Sequence, residues 1–337
     1  MTPQSTTYIN TTMSKPILVI SFSGGRTSAV MTKLCVEKFG KTHIIIIIFA
    51  NTGCEYENTL KFVNQCDKHF GWNVVWVEAV TNPIKGQGTR HKVVTYETAS
   101  RNGEPFEDYI KKEGLPGPSN PGCSNRLKEL PINSYLKRDL GLSDYWTAIG
   151  IRADEMDRVS QKRIEKKFVY PLADAGWTKE DVKAECASWP FDLELKSEAF
   201  GNCSWCYKKS LRKLLTIAKE DVWAFEFPLR MEFEHPKTYI KKVEIYGGMD
   251  VIKVKDEDGE EYEIEARKRI GIRFEPTDTK IFRGNLSTID IVEMARTKDF
   301  EPYVDIDQTQ MFSEASYDVF LDTGSACGES CEIGADD

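Results

Sequence analysis

A strand that runs straight into two glycines and then into a helix constrains this chain more than any other feature. The segment is LVISFSGGRTSAVMTKL, residues 18–34. Apolar residues fill 16–22, and helical spacing follows over 26–39 through Val30, Met31, Leu34 and Cys35. A glycine-rich turn at such a junction lets backbone N–H groups converge on an anion, with the helix dipole behind them. GxxxxGK[ST] and GxGxxG are both absent, so the turn is neither a Walker loop nor a dinucleotide fingerprint.

The segments that follow extend the same grammar. HIIIIIFANTG (43–53) is β-branched without alternation, which suits a central parallel strand covered on both faces. Residues 56–70 have helical spacing through Leu60, Val63 and Phe70. NVVWVEA (73–79) and YWTAIGIRA (145–153) supply a third and a fourth strand. This order predicts the α/β class, with a doubly wound, mostly parallel sheet. Residues 81–122, rich in Gly, Pro and charge, read as a long active-site loop or insertion. Residues 238–275 alternate, with GG and DG between the runs, and predict a β-meander inserted late in the chain.

Composition narrows the class. The 337 residues allow one large domain or two modest ones, and 40% hydrophobic content with seven tryptophans indicates a folded globule. The net charge of −8 argues against loose nucleic-acid binding and leaves a nucleic-acid substrate without support from charge. No apolar run reaches the roughly 18 residues of a spanning helix, and residues 1–12 lack the apolar core of a signal peptide. A cytoplasmic protein without membrane association is expected, with Met13 as a possible functional start. Nine cysteines, an odd count, point to metal or redox use rather than a disulfide framework. Cys35 and Cys66 fall on helical patterns as buried thiols, and Cys54 has no visible partner.

Five ordered segments carry a resemblance over about residues 16–220. SFSGGRTS resembles the pyrophosphate loop of the N-type ATP pyrophosphatases and of the phosphoadenosine phosphosulfate (PAPS) reductases. FANTGCEYENTLKFV (49–63), CSNRLKELPI (123–132), GIRADEMDR (150–158) and GNCSWCYKKS (201–210) resemble further segments of that family in order. The resemblance implies a Rossmann-like fold of the adenine nucleotide α-hydrolase type. It also implies a nucleotide-binding domain over 15–220, after a flexible extension over 1–14. A helical and β-meander region (221–300) and an acidic, cysteine-containing tail (301–337) follow.

The resemblance implies roles residue by residue. Ser23, Gly24, Gly25, Arg26, Thr27 and Ser28 would hold phosphate or sulfate oxygens, and Asn51, Thr52 and Gly53 would meet the adenosine. Gly150 and Arg152 would close the pocket, with Arg152 forking onto phosphate oxygens and assisting the reaction. Arg26 departs from ATP-cleaving relatives, which commonly carry an acidic residue there that helps hold Mg²⁺. Arg158, Lys162 and Arg163 either serve a second anionic group or form a solvated face.

Cys123, Cys203 and Cys206 match cluster cysteines of iron–sulfur reductases, but Gly122 stands where those enzymes have a second cysteine. The missing ligand would come from elsewhere, with Cys331 or Cys327 in the tail as candidates and Cys186 as a more ordinary one. A [4Fe–4S] cluster, a structural zinc site and unmetallated thiols are all consistent with the pattern. Cys327, followed by Gly328, alternatively supplies the nucleophile of a sulfonucleotide reductase, with a thioredoxin-like reductant as partner. Two reactions therefore stand open: reduction of PAPS or adenosine phosphosulfate (APS), and ATP-dependent adenylation with sulfur transfer from a donor, in which Mg²⁺ would take part. A nucleotide-binding interaction module with a structural zinc, without catalysis, is the alternative from a different class.

Overall fold

The computed structural model describes residues 15–84, 86–236, 238–255, 261–278 and 280–305. The chain starts with β1 (Ile17–Ser21), α1 (Arg26–Phe39), β2 (Ile44–Asn51), α2 (Glu57–Phe70) and β3 (Val75–Val80). An excursion follows with β4 (Arg90–Val94), α3 (Glu104–Glu113) and α4 (Leu130–Arg138). β5 (Trp146–Ala148), β6 (Phe168–Val169), α5 (Pro171–Asp174) and α6 (Lys179–Ala187) complete the sheet layer. Beyond it lie α7 (Leu211–Glu220), α8 (Glu226–Glu234), a hairpin of β7 (Thr238–Lys255) and β8 (Glu261–Asp278), and α9 (Thr288–Thr297).

The sheet order is β4-β3-β2-β1-β5-β6, parallel except for β4. The chain winds outward from β1 through β3 and then returns to the other side of β1, so β1/β5 is the topological switch point. β2 is buried along its second half, and Ile48 has no exposed surface, in keeping with its β-branched run. One core contains Ile20, Val30, Phe49, Phe62 and Val182, with α1 packed on α5 and α6. A smaller one, with Val19, Ile48, Val77, Ile132 and Leu136, lies beneath α4 on the opposite face. A third surrounds Trp205, Phe106, Leu214, Phe227 and Ile291, joining α3, α7, α8 and α9.

Two expectations need revision. Residues 81–122 are not one loop: they contain the antiparallel edge strand β4 and the helix α3. The late alternating region is β, but as one two-stranded hairpin rather than a meander. Gly247 and Gly248 fall inside β7, at a register shift between Tyr246 and Met249, instead of making a turn. Among the described residues no helix is long and apolar enough to cross a membrane.

Candidate nucleotide site and its thiols

The turn at the end of β1 is braced from within. Ser23 N–H and Oγ donate to Ser28 Oγ at 3.2 and 2.9 Å, and Ser28 Oγ donates to the Gly25 carbonyl at 3.0 Å. Ser28 is fully buried, so its hydroxyl sets the curvature of the turn. Gly24 has φ +85°, and a Cβ there would sit 2.8 Å from Thr59 Cγ2 and 3.1 Å from Val63 Cγ2 on α2. Gly25, the N-cap of α1, has an ordinary φ of −92°, no side-chain cap, and no acidic residue in the turn that follows. An uncapped helix start backed by a dipole is an anion site in waiting.

Two arginines frame this turn, each held by carboxylates. Arg26 Nε and Nη2 donate to Asp192 Oδ1 and Oδ2, both at 2.7 Å, and hold the Asp192 carboxyl below its ordinary value. Arg152 Nη1 donates to Thr27 Oγ1 at 3.0 Å, which ties the segment after β5 to the first turn of α1. The same guanidinium meets Asp154 at 3.0 Å and Glu155 at 3.4 Å. Gly150 is buried between Ile149 and Ile151, which are also buried. Arg158 pairs with Glu155, and Arg163 forks onto Asp174 at 2.8 and 2.6 Å. A cavity of about 530 Å³ opens on the α4 face over the switch point, lined by Val19, Ser21, Ile132, Tyr145, Thr147 and Lys166.

The turn after β2 is locked rather than open. Asn51, fully buried, donates from Nδ2 to Glu78 Oε1 at 2.6 Å and to the Ser100 carbonyl at 2.9 Å. Glu78 also accepts from Ser100 N–H and Oγ and pairs with Lys92 at 2.7 Å. Burial pushes the Glu78 carboxyl up, but Lys92, Ser100 and Asn51 together bring it below its ordinary value. Thr52 donates from N–H and Oγ1 to Glu55 at 3.0 and 2.8 Å. Gly53 has φ +80°, and a Cβ there would lie only 3.1 Å from Gly103 Cα. Its carbonyl accepts from Gly103 N–H at 2.9 Å, so the 81–122 excursion is fastened to the end of β2.

The cysteines approach from the same strand end. Cys203 forms a β-bridge with Glu55, its sulfur lies 3.6 Å from Thr52 Oγ1, and Ser204 N–H donates to the Cys54 carbonyl at 3.0 Å. Cys206 N–H donates to the Cys203 carbonyl at 3.2 Å, closing the CxxC turn. Burial, then the Glu55 carboxylate, pushes the Cys203 thiol well up, and Lys128 opposes them. Lys128, only 8% exposed, lies in a single π-helical turn, Asn125–Glu129, that follows Cys123 and leads into α4. Such turns concentrate at functional sites. Trp205, between the two cysteines, is buried against Phe106 and Phe227, with ring centroids 4.9 and 5.6 Å away. Lys209 is structural: its Nζ donates to the carbonyls of Ala199 and Gly201.

Two buried donors, Trp205 Nε1 and the Tyr109 hydroxyl, lie in the thiol region. Trp205 faces the Cys54 thiol, and the Tyr109 hydroxyl lies near Cys123. Among the described residues, one trio of candidate metal ligands has donor atoms within 4.8 Å of one another: Glu107, Glu234 and His235. Arg230 and Lys111 each pair with Glu107 at 2.8 Å, so that trio is an ion-paired surface cluster. Cys123, Cys203 and Cys206 do not meet that spacing. Cys327 and Cys331 lie outside the described residues, as do the first 14 positions.

Lys128, Glu55 and Asp192 were not singled out as site residues in the sequence. Lys128 sits within a segment quoted for the resemblance, but Asp192 lies 166 residues from Arg26 with no motif around it.

A mostly parallel sheet with an uncapped, glycine-rich turn at its switch point, matched by the family model, defines an adenine nucleotide α-hydrolase-like protein. The phosphoadenosine phosphosulfate reductase domain matches residues 17–184, and the chain belongs to that family. It is also 32% identical over 321 residues to the uncharacterized nin region protein ORF290 of Escherichia phage lambda, covering 94% of this chain and 95% of that protein. A shorter likeness, 28% over 155 residues, joins 46% of this chain to 26% of the uncharacterized protein MJ0066 of Methanocaldococcus jannaschii.

Proposed function

We propose that this chain is an enzyme that carries out sulfur chemistry on an adenine nucleotide held at the Ser23–Ser28 turn. The observation that carries this reading is the 3.0 Å bond from Arg152 to Thr27, which sets a guanidinium beside the uncapped start of α1. Phosphate or sulfate oxygens would take the N–H groups of that turn. Arg26 and Arg152 would exchange carboxylate partners for ligand oxygens, a replacement that suits the guanidinium fork. Base and ribose would extend from Ser21 into the cavity over β1 and β5, whose size lies in the range of small-molecule sites.

The sulfur chemistry is assigned to the thiols beside β2. Cys123, Cys203 and Cys206 would hold an iron–sulfur cluster, with a fourth ligand still to be identified. Two features support thiolate–metal binding there: an all-sulfur donor set and the Lys128 cation. A tetrahedral zinc ion with ~2.3 Å bonds brings its sulfurs to about 3.8 Å, whereas at least one pair among these three stands beyond 4.8 Å. When bound, a cluster would supply a redox or electrostatic centre next to the nucleotide turn. The chain's own contribution is to bind and orient the nucleotide and to hold Cys203 protonated until metal displaces the proton.

The test is calorimetric titration of the purified chain with ATP, APS and PAPS, alongside iron and acid-labile sulfide measured after anaerobic purification. Micromolar binding of one nucleotide, weakened in Arg152→Ala, is the expected result. A folded chain that binds none of the three overturns the nucleotide assignment. Stoichiometric zinc without iron overturns the cluster.

A further inference from the structure

The cavity over β1 and β5 is lined by apolar and polar side chains together. Val19, Ile132 and Leu136 are each at least 95% buried, and the half-buried Phe168 adds an aromatic ring. Such a lining suits the faces of a flat heteroaromatic ring, whose edge still needs hydrogen-bond partners.

Two polar side chains on the cavity wall meet that need. Glu129 ends the π-helical turn, and Asn133 lies one turn further along, in α4. Four residues apart on a continuous helix, they share one face. Each is held through a single oxygen. Asn125 Nδ2 donates to Glu129 Oε2 at 2.9 Å, and Tyr145 Oη donates to Asn133 Oδ1 at 2.9 Å. The bond from Tyr145 settles which end of the Asn133 amide accepts, and so leaves Nδ2 as the donor facing elsewhere. Tyr145 lies close to both side chains: burial, then the Glu129 carboxylate, pushes its hydroxyl up.

We propose that Glu129 and Asn133 are specificity-determining residues that read the Watson–Crick edge of adenine, Glu129 Oε1 accepting from the N6 amino group and Asn133 Nδ2 donating to N1. This rests on the reading of Ser23–Ser28 as the anion turn, which Ser21, on the cavity wall, joins to the cavity. Adenine presents a donor at N6 beside an acceptor at N1, the complement of an acceptor–donor pair. Hypoxanthine has nearly the same shape with both roles inverted, an acceptor at O6 and a donor at N1. It would set O6 against the Glu129 carboxylate and N1–H against the Asn133 amide. A phosphate anchored at the turn fixes the approach of the ring, so hypoxanthine cannot turn over to restore both bonds. The turn thus takes the anion, and α4 selects the base.

Calorimetric titration of the full chain tests the pair. The probes are AMP, the part common to ATP, APS and PAPS, its hypoxanthine counterpart IMP, and pyrophosphate, which reports on the turn alone. AMP should bind at least ~10-fold more tightly than IMP, the worth of about one hydrogen bond. The double exchange Glu129→Gln/Asn133→Asp keeps shape and net charge but inverts the pattern. Asn125 and Tyr145 still each hold one oxygen, so the new amide donates where Glu129 accepted and the new carboxylate accepts where Asn133 donated. That variant should prefer IMP over AMP by a similar factor, with pyrophosphate affinity unchanged. Each single exchange leaves two donors or two acceptors and should bind AMP more weakly than wild type does. Equal wild-type affinity for AMP and IMP, beside intact pyrophosphate binding, overturns the base reading and leaves the turn in place. So does a folded double variant that still prefers AMP. A chain that binds none of the three probes overturns the nucleotide site itself, and the base reading with it.

Discussion

Gly24 and Gly25 are adjacent, and the structure gives them separable tasks. At Gly24 an alanine would have to hold φ +85°, and its Cβ would press to 2.8 Å from Thr59 Cγ2, 3.1 Å from Val63 Cγ2 and 3.3 Å from Phe49 Cε2. All three neighbours are at least 96% buried, so none can step aside into solvent. The left-handed backbone costs about 1–2 kcal/mol, and overpacking adds about 1–3 kcal/mol. Gly24→Ala should therefore lose roughly 2–5 kcal/mol, a large part of the ~5–15 kcal/mol that holds a domain together. Thr59→Ser in the same chain removes the nearest methyl and should recover the steric share but not the backbone share. Gly25 has φ −92°, so Gly25→Ala carries no backbone strain and should leave stability within about 0.5 kcal/mol. If the turn holds an anion, that variant loses nucleotide affinity instead. Urea denaturation and nucleotide titration on the three variants separate these effects. A Gly24→Ala chain as stable as wild type would refute the steric argument.

Other outcomes follow from the same geometry. Arg152→Lys removes the fork but keeps the charge, and should weaken nucleotide binding by about 1.5–3 kcal/mol, roughly 10–150-fold in Kd, while the lost bonds to Thr27 and Asp154 also lower the melting temperature. In metal-free protein the raised Cys203 thiol is protonated at neutral pH, so iodoacetamide should label it slowly. Glu55→Gln should speed that labelling and Lys128→Met slow it, with mass spectrometry reading the modified peptide. Glu78 has a lowered folded-state value, so its contribution is complete above its unfolded value of about 4.3 and is lost as pH falls through the folded one. Urea midpoints taken between about pH 6 and 3 should decline less steeply in Glu78→Gln than in wild type.

The parts legible in the sequence are those set by local pattern. The apolar run of β2, the helical spacing of α1 and the glycine turn between strand and helix each follow from a few adjacent residues, and together they imply the parallel sheet. β4 was hidden because RHKVV is a short, charged edge strand with little apolar alternation. α3 did carry a signal: Pro105 in its first turn, two acids there and two lysines at its end. Gly247–Gly248 misled because a glycine pair marks a turn or a bulge equally well, and only the partner strand distinguishes them. The site's long-range ties were not legible at all. Nothing near Asn51 announces Ser100, and nothing near Arg26 announces Asp192, because each pairing is created by the sheet bringing distant loops to one edge.

The Arg26–Asp192 fork has an evolutionary consequence. An acidic residue at position 26, the commoner choice among ATP-cleaving relatives, would face the Asp192 carboxylate across a gap now spanned by two 2.7 Å bonds. Asp192 is 47% exposed, so water weakens the repulsion between two such carboxylates without removing it. The lost fork and the remaining repulsion disfavour an acid at 26 while Asp192 stands, so in descendants of this sequence the two positions should tend to change together. The glycine turn after β1 and the segment after α6 thus form one unit of inheritance.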